Sequence, residues 1–405
     1  MASGGNGVVG LVVNPVAGLG GAVGLKGSDG AGVQRAALAR GAEPKAGRRA
    51  AQAVATLLAR RPGLRLVTVA GAMGEDSARA AAVPYELVPS GGQDVTTAAD
   101  TRAAVMALAD VDLLLFAGGD GTARDVLDAV RELGAAAPPV LGIPAGVKVY
   151  SGCFALSPAT AGFVAADFLT RPGTAEAEVV DLDEERYRRG LVSPRLYGSL
   201  RVPAGRAALS GRKAGSSDAA PATVEGIARE IAARLRPGVR YVLGPGATTA
   251  AVGRELGLAT TLLGVDVVEA RTGGADLVAA DVTEGELFEL VRGRETVLVL
   301  SVIGGQGFVL GRGNQQVSPR VLDEVLGGVP GGVSGGDPSG VSGGGDGLVV
   351  LATQQKLAGL GGRPLLADSG DQELDRKLAG HVRVITGYRE STIYRICAAS
   401  EEFYG

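Results

Sequence analysis

Gly118-Gly119-Asp120-Gly121-Thr122 joins an apolar run, Val111–Ala117, to a stretch with helical spacing, Thr122–Leu133. Glycines at a strand-to-helix turn let phosphate oxygens approach backbone N–H groups, and a helix N-terminus favours an anion. Asp120 sits between the glycines, where a carboxylate can bind a cation or accept a proton from an attacking hydroxyl. A plainer reading makes the segment a turn, with Asp120 or Thr122 capping the helix. Asp125 and Asp128 follow on the helix and need not share a site with Asp120.

Other glycine-rich loops offer related chemistry. Asn14–Gly21 (NPVAGLGG), with Gly18 and Gly20, follows the apolar run Val8–Val13 and suits a phosphate in the same way. It is not a Walker A loop, because no Gly-Lys-Ser/Thr follows, and Val23 stands where the last glycine of a dinucleotide fingerprint belongs. Gly142–Gly152 (GIPAGVKVYSG) carries Lys148 and Ser151; the lysine either meets a phosphate or remains a solvated charge. Farther on, Gly246, Thr248 and Thr249 supply amides and hydroxyls suited to phosphate, or form a helix start capped by Thr248. In Gly304–Gln316, Gly305, Gln306, Arg312 and Asn314 stand close together. An arginine there can grip phosphate bidentately, and amide side chains can read ribose hydroxyls or base edges.

These loops need strands before them and helices behind them. Val8–Val13, Leu64–Ala70, Val111–Ala117 and Val140–Ile143 read as strands, alternating with helices at Arg48–Arg60, Thr97–Leu108 and Thr122–Leu133. That alternation predicts an α/β fold, a doubly wound parallel sheet with ligands beyond the carboxyl ends of its strands. After Pro172, Ala177–Leu182 and Leu196–Val202 read as extended segments about a charged turn, Asp183–Gly190. A second alternating unit follows, with strands at Tyr241–Leu243, Thr261–Val268, Thr296–Ile303 and Leu348–Thr353. Helices are expected near Val224–Leu235, after Gly246 and at Glu284–Val291, and a terminal hairpin at Val382–Ile385 and Ile393–Cys397. The expected domains are therefore 1–172, an amino-terminal lobe, and 173–405, a carboxy-terminal ligand-binding lobe with β segments and a second α/β unit. The polar, small-residue stretch 204–221 and the low-complexity tract 327–347 are expected to be flexible.

Composition narrows the chemistry further. The 405 residues include 66 glycines, roughly twice ordinary usage, but no Gly-X-Y period, so collagen is excluded. One histidine, His381, and two cysteines, Cys153 and Cys397, exclude multi-histidine metal sites, four-cysteine zinc and a disulfide framework. His381 reads as a structural or surface residue, and Cys153 as a buried inert thiol. The net charge of −3 gives no general attraction to nucleic acid or to an anionic membrane. No secretory signal is visible, and no apolar run approaches the ~20 residues that span a bilayer, so a cytoplasmic protein is expected.

NPVAGLGG, AGGDGTARDV and GIPAGVKVYSG, in that order and each after a strand, resemble the ATP-NAD kinase superfamily, which shares GGDGT with diacylglycerol and sphingosine kinases. GPGATTAAVGRELGL, TLLGVDVV, ADVTE, IGGQGFVLGRGNQQVSP and VITGYRE resemble the members found partly with acetoin-catabolism genes. The resemblance implies a kinase that uses ATP, or another phosphate donor, to phosphorylate the 2′-hydroxyl of NAD or NADH. It assigns Asp120 as general base, Gly118, Gly119, Gly121 and Thr122 as phosphate cradle, magnesium as cation, a cleft as the site and a homo-oligomer as the assembly. Phosphoryl transfer is largely positioning and charge neutralisation, so this chemistry needs no histidine. The family's Asn-Glu pair, which holds the nicotinamide-side ribose, does not occur in this sequence. Asp183, Glu184 or Glu185 of the charged turn either replaces part of its function or is a solvated hairpin charge. Another hydroxylated metabolite as acceptor, or a non-catalytic nucleotide- or phosphosugar-binding regulator, remain the alternatives.

Overall fold

A computed structural model describes residues 7–19, 23, 31–89, 96–145, 149–182, 194–204, 221–327 and 347–401. Strands β1 (Val8–Val13), β2 (Arg65–Thr68), β3 (Glu86–Leu87), β4 (Leu113–Gly118) and β5 (Val140–Pro144) form a parallel sheet in the order β3-β2-β1-β4-β5. Gly10 lies opposite Leu114, and Phe116 opposite Gly142. Every residue of β4 and β5 is buried. A strand covered on both faces has no polar side to present, which is why these segments read as continuous apolar runs.

Among the described residues, six helices accompany this sheet: α1 (Ala31–Ala39), α2 (Ala46–Arg60), α3 (Glu75–Ala80), α4 (Ala98–Ala107), α5 (Asp120–Leu133) and α6 (Pro158–Thr170). Helices α2 and α6 pack together and onto β5, while α4 and α5 pair and contact β1 and β4. The result is the doubly wound architecture expected from the sequence. Local chemistry marks the helix starts: Thr97 and Asp100 form a capping box on α4. The Ser157 hydroxyl accepts the Thr160 N–H (3.1 Å) ahead of Pro158 on α6. The sequence reading assigns no helix to α6, whose buried positions leave little polar face to set a period.

Strands β6 (Thr174–Leu182) and β7 (Pro194–Pro203) form an antiparallel hairpin with Val179 opposite Gly198. The hairpin packs on α5 and β5, and Val179, Leu200 and Val202 join the first core. By its internal contacts the chain divides into two compact units, and the hairpin belongs to the first. The turn 183–190 and nearly all of 204–221 and 327–347 lie outside the described residues.

The second unit contains α7 (Pro221–Arg234), β8 (Arg240–Leu243), α8 (Ala247–Glu255), β9 (Asp266–Arg271), β10 (Gly274–Ala279), α9 (Glu284–Val291) and β11 (Thr296–Ser301). It continues through α10 (Pro319–Gly327), β12 (Leu348–Leu351), α11 (Gln354–Ala358), β13 (Leu365–Ala367), α12 (Gln372–Leu378), β14 (Gly380–Gly387) and β15 (Glu390–Ala398). The sheet order is β10-β9-β8-β11-β12-β14-β15-β13, with β8, β11, β12 and β14 parallel at its centre. The strand expected at Thr261–Val268 starts only at Asp266 and turns back as the β9–β10 hairpin. Thr261 explains the late start: its N–H and hydroxyl bond the Asp266 carboxylate at 2.7 and 2.9 Å, closing a polar turn.

Helices α2 and α6 approach most closely at Gly162, where a Cβ would stand 2.5 Å from the Ala53 carbonyl oxygen and 2.9 Å from the Leu57 nitrogen. Both obstacles are backbone, so rotamer changes cannot relieve them. Gly162→Ala should cost about 1–3 kcal/mol in urea unfolding; an unchanged midpoint would contradict this packing.

Candidate active site

The loops after β1, β4 and β5 meet at the carboxyl edge of the first sheet. Asn14 N–H donates to the Ala117 carbonyl (2.9 Å), and the Asn14 amide donates to the Thr122 hydroxyl (3.0 Å). Ala145 N–H donates to the Gly118 carbonyl (3.0 Å), bringing the start of the third loop to the same place. Gly118 permits the tight entry into α5, since a Cβ there would lie 2.4 Å from both Cβ and Oγ1 of Thr122. Gly18 occupies a turn after β1 with φ +78°. Gly20 and Lys148 lie outside the described residues.

Helix α5 begins at Asp120 after an extended Gly119, and no side chain caps it. Neither Asp120 nor Thr122 therefore plays the capping role that the plainer reading gave them. First-turn amides, including those of Gly121 and Thr122, have no intrahelical acceptor and are suited to an anion. The Asp120 side chain turns instead to the third loop. Its Oδ2 accepts Tyr150 N–H (2.7 Å) and its Oδ1 accepts Ser151 N–H (2.9 Å). The Ser151 hydroxyl bridges the backbone carbonyl and N–H of Val180 on β6, each at 3.0 Å.

Burial pushes the Asp120 carboxyl up to about 7, against the opposing pull of the Ser151 and Tyr150 hydrogen bonds; the Asp181 charge adds to the rise. Each carboxylate oxygen retains a lone pair beyond the one an amide takes. Burial also raises the nearby Cys153 thiol, so that side chain stays protonated and inert, as its sequence context suggested.

In the second unit, Gly246 precedes α8, and Thr248 and Thr249 are buried in its first turn. Thr249 bonds the Gly246 carbonyl (2.9 Å), and the Lys356 ammonium donates to the Thr248 hydroxyl (3.2 Å). The loop after β11 is knit internally. Asn314 accepts Gly311 N–H (3.0 Å) and donates to the Val309 carbonyl (2.8 Å), while buried Arg312 packs 4.6 Å from the Phe308 ring centre. Gln306 is buried, and the Gly305 carbonyl accepts from Arg363 (3.0 Å).

Residues 9–172 match the ATP-NAD kinase N-terminal domain and residues 236–331 the ATP-NAD kinase C-terminal domain, together well over half of the chain. The chain belongs to the ATP-NAD kinase family. No curated protein and no solved structure matches it. The kinase is accordingly a phosphotransferase with an alcohol acceptor, in a family defined by ATP and NAD. Among the described residues, no helix is long and apolar enough to cross a membrane. Also among them, no three His, Cys, Asp or Glu side chains converge as a metal cage.

Sequence reasoning missed several neighbours of this site in the kinase. Tyr150 acts through its backbone amide, which leaves no side-chain signature; Ser151 was visible on the third loop, but not its partnership with Asp120. Buried Arg49 on α2 donates from Nε to the Pro144 carbonyl (2.6 Å) at the end of β5. Its helical spacing with Ala46, Ala50 and Ala53, all buried, was the available signal. Arg124, one turn beyond Asp120, pairs with Asp181 of β6 at 3.2 Å.

The folded kinase holds a proton on Asp120 up to about pH 7, whereas an unfolded aspartate releases it near its ordinary value of 3.8. The resulting stabilisation is complete below that lower value and is lost as pH rises through about 7. Asp120→Asn cannot titrate, so its melting temperature should rise relative to the wild type between pH 5 and about 8. A constant difference across that range would contradict the raised proton affinity.

Proposed function

We propose that the kinase transfers the terminal phosphate of ATP to the 2′-hydroxyl of the adenosine ribose of NAD or NADH, with Asp120 as general base. The supporting observation is a buried carboxylate at the mouth of a glycine-rich helix start, oriented by Tyr150 and Ser151 and titrating at about 7. A base with that proton affinity is about half ionised at neutral pH, and basic enough to take a hydroxyl proton as the oxygen attacks phosphorus. The proton moves from the hydroxyl to a free lone pair of Asp120. The new O–P bond forms as the bond to the leaving ADP breaks, and the attacking and leaving oxygens lie roughly in line. Amides of Gly121 and Thr122 face the transferring phosphate in this reading, and Asn14 holds the Thr122 hydroxyl against the first loop. Gly18 of the first loop is assigned to the donor side in this reading. A divalent cation would neutralise the phosphate charge.

A different hydroxylated metabolite is the second reading for the acceptor, and the absence of an Asn-Glu dipeptide from the sequence favours it. A binding protein without turnover is disfavoured, because a site made only to hold phosphate gains nothing from a carboxylate beside a dianion.

Full-length protein incubated with ATP, magnesium and NAD should yield NADP by mass spectrometry. Asp120→Asn should lower kcat by about 10²–10⁴-fold, and kcat/KM of the wild type should fall on the acid side of about pH 7. Phosphorylation of other alcohols but not NAD would replace the acceptor; undiminished turnover in Asp120→Asn would remove the base.

A further inference from the structure

A closed circuit of contacts surrounds Asp120. Its Oδ1 accepts the Ser151 N–H, and the Ser151 hydroxyl holds both backbone polar groups of Val180. The next residue, Asp181, pairs through Oδ2 with Arg124 Nη1 at 3.2 Å. Arg124 lies four residues beyond Asp120 on α5, on the same helix face. The guanidinium also sits 5.4 Å from the Tyr197 ring centre on β7, which restrains it from the opposite strand of the hairpin.

We propose that Arg124 and Asp181 are positioning residues whose ion pair sets the charge that Asp120 experiences, and that the β6–β7 hairpin thereby controls the protonation of the base. The proposal rests on the reading of Asp120 as the base. Asp181 contributes a like charge that opposes ionisation of Asp120, and the proposal assigns the offsetting charge to Arg124, its ion-pair partner. Asp181 and the Cys153 thiol interact with Asp120 itself, whereas Asp125 and Tyr197 act on Arg124. Arg124 and Asp125 lie on α5, Asp181 on β6, Tyr197 on β7, Cys153 in the segment after the third loop, and Arg49 on α2. The Cys153 thiol is held protonated, and Arg49 is engaged with the Pro144 carbonyl. Asp181 is the neighbour whose charge acts on Asp120.

A pair that only stapled the hairpin to α5 would affect stability without moving the titration of Asp120. The two roles separate in a set of full-length proteins: wild type, Asp181→Asn, Arg124→Gln and the double variant. Each is paired with the same protein carrying Asp120→Asn. The pH midpoint of the melting-temperature difference within each pair reports Asp120 alone and needs no substrate. Asp181→Asn should move that midpoint down by about half a pH unit or more, and Arg124→Gln should move it up by a similar amount. The double variant should return to within a few tenths of the wild type, because it removes both charges. The acid limb of kcat/KM should follow in the same order. Midpoints that stay together while melting temperatures fall would reduce the pair to a staple and overturn the proposal. Midpoints that move while NAD remains unphosphorylated would uphold the tuning and reject the acceptor, so the two failures remain distinct.

Discussion

The burial of one carboxylate organises the amino-terminal unit. Taking an ion out of water costs several kcal/mol even after local relaxation, so Asp120 needs donors that are already in place. Two backbone amides meet that need, those of Tyr150 and Ser151. They belong to a segment that must return to the α5 N-terminus after leaving β5. The return is anchored on one side by Ala145 against Gly118 and on the other by Ser151 against Val180. The path of the third loop, the tight turn at Gly118 and the docking of β6 are thus parts of one solution to a solvation problem.

The elements that carry this arrangement were legible in the sequence where their physics is local. Strands β1, β4 and β5 are buried on both faces, and so read as unbroken apolar runs ending in glycine-rich loops. Asp120 was visible because a charged residue between glycines at a helix start has few structural duties. Its partners were invisible for the opposite reason. An amide N–H is common to nearly every residue, and only the fold brings residues 150 and 151 to residue 120. Arg124 and Asp181 are separated by 57 positions, and a two-residue strand such as β3 carries too little pattern to register. The placement of the hairpin with the first unit was likewise set by long-range burial of Val179, Leu200 and Val202.

Glycine density proved to have more than one physical meaning. At Gly118 a missing side chain makes room for Thr122 at a helix start suited to an anion. In the loop after β11 the neighbouring polar groups look inward: Asn314 satisfies the loop's own backbone and Arg312 packs on Phe308. Buried backbone in an irregular loop must find hydrogen-bond partners, and amide side chains provide them where no strand is adjacent. Asn314 thus serves the loop's own backbone, whereas Gln315 Nε2 and Gln316 Oε1 are buried without a hydrogen-bond partner among the described residues. The Thr248 hydroxyl is different in kind, because it meets an ammonium arriving from α11, beyond a separate parallel strand.

The chain has a single histidine, exposed on β14, and the proposed reaction assigns proton exchange near neutral pH to a carboxylate instead. Burial supplies the substitute. Desolvation lifts the Asp120 carboxyl to about 7, close to where an imidazole titrates, while the hydrogen bonds of Ser151, side chain and backbone, and of Tyr150 keep it from rising further. A carboxylate tuned this way is sensitive to changes in local charge, because desolvation and hydrogen bonding act on it in opposite directions. That sensitivity gives the Arg124–Asp181 pair its leverage despite its partial exposure. In bulk water the same pair would be screened to little effect; beside a buried carboxylate it acts through a medium that screens less.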